Sequence, residues 1–289
     1  MCSLFGLIDF KECLSTHTKN KILNTLAREC QVRGTDATGI AYNFNGRMRI
    51  YKRPLPARKV KIHLPHDVNV IMGHTRMTTQ GNAQLNQNNH PFLGHIDSNS
   101  FSLAHNGVLW NDKELRVTEN LPQTSVETDS YVAVQLLEQQ KTLDFDSLKA
   151  MAEKVEGSFV FTVLDKDNSI WFVVGDNPLC VMYYDGFLIY ASTQEILCKT
   201  IKKHGCKLII DAQGELLQEA LRCEPDFVKP NIFELAEAVG DKPSADPEVV
   251  VHSARKMLDM GAKAVCVSMG QEGALLTAKD EPESLYVTT

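Results

Sequence analysis

The chain has 289 residues, of which 43% are hydrophobic and 23% charged, with a formal net charge of -6. This composition predicts a globular protein of one large or two modest domains, and its acidic balance argues against a nucleic-acid-binding surface. No stretch approaches the roughly 18 apolar residues that a membrane span needs. The eight cysteines are scattered without a Cys-x-x-Cys pair, which is typical of a reducing cytoplasm and of neither a disulfide framework nor a zinc site. We therefore expect a cytoplasmic protein with no metal, no cofactor, and no nucleic-acid or membrane partner.

The first part of the chain alternates short strands with amphipathic helices. Apolar periodicity predicts helices over 19–32, 128–140 and 145–155, and strands over 38–42, 48–52, 68–73, 100–104, 158–165, 170–175, 180–184 and 187–191. The strand over 100–104 is expected to end at a turn formed by His105, Asn106 and Gly107. Hairpins with helices between them favour antiparallel sheets covered by helices, an α+β fold.

The pattern changes near residue 207. A strand over 207–211 is followed by a helix ending at 222, a strand over 226–229, two helices, and strands from 264 onward. Such alternation of strand and helix predicts a parallel, βαβ-type arrangement. We place the domain boundary at about residue 205, which gives domains over 1–205 and 206–289.

Cys2 has only Met1 before it in this sequence. If Met1 is removed, one residue carries both a thiol and a free α-amine, and an α-amine titrates near about 7.7–8.0. The amine can then act as a neutral base beside its own nucleophile. The alternative is an ordinary buried cysteine.

Three polar clusters suggest a site for a small amino acid. Arg76, where a predicted strand runs into a loop, is suited to bidentate capture of a carboxylate. Asn106 beside Gly107 offers two donors for an oxyanion. Asp129, at a predicted helix start with Thr128 as N-cap, could accept from an ammonium group. Singly, each cluster is more simply an ion pair, a turn or a helix start, but together they describe a site for an amide-bearing amino acid.

The motifs that carry a family resemblance follow one another in order: Cys2, Arg33-Gly34-x-Asp36-x-x-Gly39, His74-Thr75-Arg76, Asn89-His90-Pro91, His105-Asn106-Gly107 and Glu127-Thr128-Asp129. With them and the later Tyr190-Ala191-Ser192 segment, residues 2–204 resemble the class II glutamine amidotransferase (glutaminase) domain of the N-terminal nucleophile hydrolases. The resemblance implies a four-layer αββα sandwich. Ser3 departs from the glycine usual in the family, and Met77 and Gln80 depart from the tryptophan and histidine of one branch.

The resemblance also implies a role for each motif. Cys2 would attack the side-chain amide of L-glutamine, with Asn106 and Gly107 stabilising the oxyanion. The substrate would be bound by Arg76, Thr79, Asp129 and His90. Structural support would come from Arg33, Asp36, His74 and His105. The products would be glutamate and ammonia, with the ammonia passed to a separate acceptor synthase; the alternative is a non-catalytic glutamine-sensing or interaction protein.

The last part of the chain resembles ribokinase-type sugar kinases of the 1-phosphofructokinase and tagatose-6-phosphate kinase branch. The resemblance rests on segments such as 208–211, 268–274 and Asn231-Ile232-Phe233-Glu234, which matches an N-x-x-E motif associated in that family with magnesium and phosphate. The Gly-Ala-Gly-Asp motif that holds the catalytic aspartate is not in the sequence. A partial, non-catalytic module that packs on a neighbour or forms a homo-oligomer is therefore expected, and a sugar kinase is the least favoured function.

Overall fold

The computed structural model describes residues 2–97 and 99–288, which form two compact units divided between Leu197 and Cys198. This division falls inside a helix, a few residues before the boundary near 205 that the sequence suggested. Met1, whose removal the proposed chemistry requires, lies outside the described residues. Among the described residues, no helix is long and apolar enough to span a bilayer.

The first unit contains two antiparallel sheets. Its elements are β1 (Ser3–Ile8), α1 (Thr16–Glu29), β2 (Ala37–Phe44), β3 (Arg47–Arg53), β4 (Val70–Arg76), β5 (Phe92–Ile96), β6 (Asn99–Leu109), α2 (Asp112–Thr118), α3 (Tyr131–Glu138), α4 (Phe145–Lys154), β7 (Gly157–Leu164), β8 (Ile170–Val174), β9 (Cys180–Tyr183), β10 (Leu188–Ala191) and α5 (Gln194–Lys203), which crosses the division. One sheet has the order β3-β2-β4-β1-β10-β9 and the other β5-β6-β7-β8.

The two sheets face each other across an apolar core. The first sheet contributes residues such as Leu4, Met72 and Tyr190, and the second contributes Ala104 and Val160. Burying one such leucine stabilises the fold by about 1.5–3 kcal/mol. The other face of the second sheet packs on α3 and α4, and α1 contacts β1 and β4 of the first sheet. The predicted four-layer αββα sandwich is therefore confirmed.

Several local predictions for the first unit were wrong. His105, Asn106 and Gly107 do not form a turn, because β6 continues through them and pairs with β7 as far as Leu109 opposite Gly157. The helix predicted from 128 begins at Tyr131. Strand β5 and helices α2 and α5 were not predicted.

The second unit contains β11 (Ile209–Ile210), α6 (Gly214–Leu221), β12 (Phe227–Val228), α7 (Ile232–Val239), α8 (Pro247–Asp259), β13 (Ala264–Ser268), β14 (Ala274–Ala278) and β15 (Leu285–Val287). Its sheet has the order β11-β12-β13-β14-β15. The predicted parallel arrangement is correct for β11 to β13, but β14 and β15 join antiparallel. Two short hairpins produce this mixed sheet, because a crossover helix is needed only between parallel neighbours.

Candidate active site

Cys2 lies immediately before β1 and is only 9% exposed. Its thiol donates to the carbonyl of Met77 at 3.4 Å, and its own carbonyl accepts from Nε of Arg33 at 3.0 Å. Burial raises the pKa of the Cys2 thiol, the charge of Arg76 lowers it, and the charge of Asp129 raises it further. Because the net shift is upward, the thiol is protonated at neutral pH and needs a proton acceptor before it can attack a substrate.

Strand alternation directs the site residues into the space between the sheets. Side chains two residues apart on a strand share a face. The side chain of Cys2 therefore lies on the same face as that of Leu4, and the side chain of Asn106 lies on the same face as that of Ala104. Leu4 and Ala104 both belong to the core between the two sheets. In the pairing of β1 with β4, Ser3 lies opposite Thr75, so the next position outward brings Cys2 beside Arg76.

Arg76 ends β4 and is 3% exposed. Its Nη1 donates to Oδ1 of Asn89 at 2.7 Å, and its Nη2 donates to the carbonyls of Gln80 and Gly81. A guanidinium carries five N–H donors, so these three contacts leave donors for a substrate carboxylate. Burial lowers the pKa of Arg76, and the charges of Cys2 and other acidic groups, Asp129 among them, oppose that shift.

The loop after β4 is fixed by the predicted support motif. The Asp36 carboxylate accepts from the backbone N–H of Thr78 at 2.7 Å, and the Asp36 N–H donates to the carbonyl of Arg76 at 2.9 Å. At Gly34, a Cβ would lie 2.5 Å from the carbonyl carbon of Arg76, so only glycine fits this approach. Thr79 is exposed on the same loop.

Asn106 is completely buried, and neither atom of its side-chain amide has a hydrogen-bond partner among the described residues. Its backbone carbonyl accepts from Nδ2 of Asn177 at 3.0 Å. Leaving a buried donor or acceptor unpaired costs about 1–3 kcal/mol, which a substrate oxygen could recover. The next residue, Gly107, has φ +151° and its Cβ would lie 1.9 Å from the carbonyl oxygen of Ser158, so no other residue type fits there.

Asp129 lies in the turn before α3 and is 4% exposed. Its Oδ2 accepts from the N–H of Leu109 at 2.7 Å, which fixes the carboxylate at the end of β6. Thr128 was predicted to cap the helix, but its hydroxyl has no hydrogen-bond partner among the described residues. The tertiary bond to Leu109 directs this segment, and the local capping prediction was wrong.

Three buried histidines lie behind the site. The rings of His74 and His90 are 4.3 Å apart, and those of His90 and His105 are 6.5 Å apart. Nε2 of His74 donates to the carbonyl of His105 at 3.0 Å, and Nδ1 of His105 bonds Oγ of Ser130 at 2.8 Å. Burial lowers the pKa of His74 to about 3 and that of His105 to about 4, and lowers that of His90 as well. The rings are therefore neutral at pH 7, which suits packing and orientation better than proton transfer.

Some residues of the site have no role in the sequence-based interpretation. Oγ of Ser192 accepts from the N–H of Leu4 at 2.8 Å, and Nζ of Lys52 donates to the carbonyls of Asn89 at 2.6 Å and Pro91 at 3.1 Å. Ser192 belongs to the Tyr190-Ala191-Ser192 segment, which is similar to the family, so a signal existed. Lys52 gave none, because its contacts are to backbone carbonyls distant in sequence.

Two of the three departures from the family pattern concern residues that act here through their backbone. Met77 offers its carbonyl to the Cys2 thiol, and Gln80 offers its carbonyl to Arg76. A carbonyl is supplied by any residue type, so these contacts do not depend on the side chain at either position. Among the described residues, no group of three or more histidine, cysteine, aspartate or glutamate side chains has a geometry that could hold a metal ion.

Two family models match different parts of the chain. Residues 74–199 match the model of a glutamine amidotransferase domain, and residues 183–286 match that of the pfkB family carbohydrate kinases. The second match begins before residue 207, where the sequence resemblance had been placed, and overlaps the first over 183–199.

Two curated relatives have the same name, glutamine–fructose-6-phosphate aminotransferase (isomerizing). The protein of Staphylococcus epidermidis is 29% identical over 213 residues, which is 71% of this chain and 34% of that protein. The protein of Oceanobacillus iheyensis is 31% identical over 201 residues, which is 66% of this chain and 32% of that protein. The chain thus spans about a third of the length of these relatives.

Among solved structures, the glutamine phosphoribosylpyrophosphate amidotransferase of B. subtilis, complexed with ADP and GMP, superimposes with a TM-score of 0.55. The match covers 68% of this chain and 43% of that chain at 19% identity. At this identity the likeness shows the fold, which is that of the N-terminal nucleophile hydrolases.

Proposed function

We propose a function from the premise that this chain carries a class II glutamine amidotransferase domain, followed by a partial ribokinase-like segment of the pfkB family. The first domain hydrolyses the side-chain amide of L-glutamine, giving glutamate and ammonia. The observation that carries this proposal is the unpaired, fully buried side-chain amide of Asn106. Asn106 and Cys2 both lie on strand faces that border the space between the two sheets. A structural asparagine at that depth would have its hydrogen bonds satisfied.

The reaction begins once processing has made Cys2 the first residue. Its α-amine takes the thiol proton, and the sulfur attacks the amide carbon of glutamine. The oxyanion that forms accepts from the Asn106 side chain and the Gly107 N–H, and the amine returns the proton to the departing ammonia. Water then hydrolyses the thioester to glutamate, with the same amine as base.

Substrate binding uses charges that the fold has already fixed. Arg76 pairs with the α-carboxylate, supported by Thr79, and Asp129 accepts from the α-ammonium group. Both charged residues are nearly buried, and their own contacts hold them in place before substrate arrives. Preorganised charges of this kind reduce the ordering cost of binding. His90 shapes the same pocket as a neutral ring, packed against His74 and Phe92.

The ammonia passes to an acceptor reaction outside this domain. The relatives favour a sugar phosphate as the acceptor, because they are named for fructose 6-phosphate. A non-catalytic glutamine sensor is the second candidate. It is favoured by the raised pKa of the Cys2 thiol, which would leave the sulfur unreactive if no amine becomes available to deprotonate it.

Covalent labelling distinguishes these candidates. A diazoketone analogue of glutamine should add to Cys2 and to none of the other seven cysteines, while glutamine protects the protein and ammonia release is lost in step with labelling. Cys2→Ala should neither react nor release ammonia, and Cys13→Ala, a change at an exposed cysteine, should behave like the parent. Peptide mapping of the same sample reports the N-terminal residue. A protein that keeps Met1 and is fully active would disprove the α-amine mechanism, and glutamine binding without turnover would establish the sensor.

A further inference from the structure

A second feature of the first unit is a basic cleft between α1 and the segment over 58–63. The cleft has a volume of about 450 Å³. Five permanent cations line it, namely Lys21, Arg28, Arg58, Lys59 and Lys61. The imidazoles of His17 and His63 and the side-chain amides of Asn20 and Asn24 complete its polar lining, and no carboxylate belongs to it. For a chain with a net charge of -6, this is a local reversal of sign.

The segment that carries Arg58, Lys59 and Lys61 is held against α1, which itself carries Lys21 and Arg28. Val60, Ile62 and Leu64 are buried at 7%, 2% and 7% exposure, so the residues between them face outward. The side-chain amide of Asn24 donates to the carbonyl of Ile62 and accepts from its N–H, both at 2.9 Å. Asn20 accepts from the N–H of Leu64 at 2.8 Å. The alternation of buried apolar and exposed basic residues therefore presents Lys59 and Lys61 in fixed positions.

In the part of the chain that the structure describes, the cations of the cleft have no ion-pair partner. Among the described residues, none of its five cations lies within 4.0 Å of a carboxylate, whereas other lysines of the same unit, such as Lys19 and Lys154, do. Like charges held close together repel one another, and a bound anion removes that repulsion. Arg28 and Arg58 add planar forks that match the geometry of phosphoryl oxygens.

We propose that this cleft binds a compact phosphorylated anion, such as a hexose phosphate or an inorganic polyphosphate. Its volume lies within the range of roughly 300–1,000 Å³ that is usual for small-ligand sites. The five cations outnumber every other kind of group in the lining, which includes no phenylalanine, tyrosine or tryptophan among the described residues. Recognition therefore depends on phosphate charge. The proposal does not depend on glutamine hydrolysis, because none of the lining residues belongs to the amidotransferase site.

Isothermal titration calorimetry at about 0.15 M salt tests the proposal, with inorganic triphosphate and fructose 6-phosphate as probes and sulfate as the ionic-strength control. We expect one saturable site for at least one probe. Lys59→Glu combined with Lys61→Glu should weaken that binding by about tenfold or more, because two attractive charges become repulsive. Both positions are exposed, so the folded state should persist, and circular dichroism checks this.

A matched control carries the same change of charge elsewhere. Arg47→Glu combined with Lys113→Glu alters two exposed cations outside the cleft and should change the affinity by less than about twofold, as expected of screened distant charges. Absence of saturable binding of both probes would overturn the proposal. Equal weakening by the two double variants would do so too, since it would report net charge instead of a site. Because no readout is enzymatic, a protein inactive toward glutamine can still support or refute this site.

Discussion

The two units carry family motifs that look equally informative in the sequence, yet their hydrogen bonding differs. In the second unit, Oδ1 of Asn231 accepts from the N–H groups of Phe233 and Glu234, and Oε2 of Glu234 accepts from the N–H of Asn231. These contacts form a reciprocal capping box at the start of α7. One oxygen of each side chain of the N-x-x-E motif thus takes part in holding a helix end.

In the first unit, the corresponding polar groups remain available. Both amide atoms of Asn106 are buried without a partner among the described residues, and the guanidinium of Arg76 retains donors beyond its three contacts. A cap satisfies its own hydrogen bonds, whereas a binding site leaves some unsatisfied until a ligand arrives. At these two motifs, therefore, the hydrogen bonds already made differ, although both motifs match a family in sequence.

The largest expected effect that sharpens this contrast is at Asn106. Asn106→Ala should lower kcat for glutamine hydrolysis about 10²–10³-fold with little change in KM, because an oxyanion donor acts mainly in the transition state. Arg76→Ala should mainly raise KM, since a carboxylate contact stabilises the ground state as well. Steady-state kinetics of ammonia release measures both parameters.

Asn43→Ala is the control for the Asn106 variant. Its amide bonds the carbonyl of Asp165 and the side chain of Asn168, so it removes an asparagine whose hydrogen bonds are already made. Both kinetic parameters should stay within about twofold of the parent. A change confined to KM in Asn106→Ala would show that this amide is not the oxyanion donor.

Mild acid should destabilise the first unit. His74 and His105 have folded-state pKa values lowered to about 3 and about 4, against about 6.5 in an unfolded chain. The unfolded state then binds more protons, so the stability that these neutral rings contribute is complete above pH 6.5. It is lost as the pH falls toward 4 and then 3, at up to about 1.4 kcal/mol per pH unit for each ring.

Urea unfolding at pH 7.5 and 5.0 measures this effect, with tryptophan fluorescence as the probe because both tryptophans, Trp110 and Trp171, belong to the first unit. In the second unit, His252 is exposed, whereas His74 and His105 of the first unit are buried. His17→Gln, a change at an exposed histidine, should leave the pH dependence intact. A free energy of unfolding that is equal at the two pH values would contradict the buried-neutral assignment.

A smaller effect is expected at the capping box of the second unit. Asn231→Ala should lower the free energy of unfolding of that unit by about 1 kcal/mol through loss of the N-cap, and should leave ammonia release unchanged. Asn231→Ser, which can still cap, should recover most of the loss. Thermal unfolding followed by far-UV circular dichroism provides the readout. If the alanine variant instead abolished binding of Mg·ATP by an otherwise stable protein, the motif would be a ligand site after all.

The smallest effect on catalysis should come from removing the second unit. A chain ending at residue 205 keeps α5 whole and contains every residue assigned to the reaction, so its kcat should stay within about twofold of the parent. We expect its solubility or oligomeric state to change, because Leu285, Val287 and Ile209 on the edge strands are more than half exposed and suit association. Kinetics and light scattering test the two parts. Loss of hydrolysis in a folded truncated chain would show that the second unit contributes to the site.

Much of this protein follows from the sequence alone. Apolar alternation predicted most strands to within a few residues, and ordered motifs from Cys2 to Asp129 predicted the αββα sandwich and nominated the site residues. These signals are local or depend on order along the chain, so they survive without knowledge of contacts. The start of α4 is also set locally, because Asp144 and Ser147 form a capping box there.

Only the tertiary structure decided what the polar motifs do. The strand β6 runs through Asn106 because β7 pairs with it, Asp129 turns to bond Leu109, and Lys52 reaches two carbonyls near His90, all through contacts between residues far apart in sequence. The same is true of the N-x-x-E motif, which the fold uses as a cap. Residue type sets which hydrogen bonds a side chain can make, but the packing of distant segments determines which of those bonds are already made and which remain for a ligand.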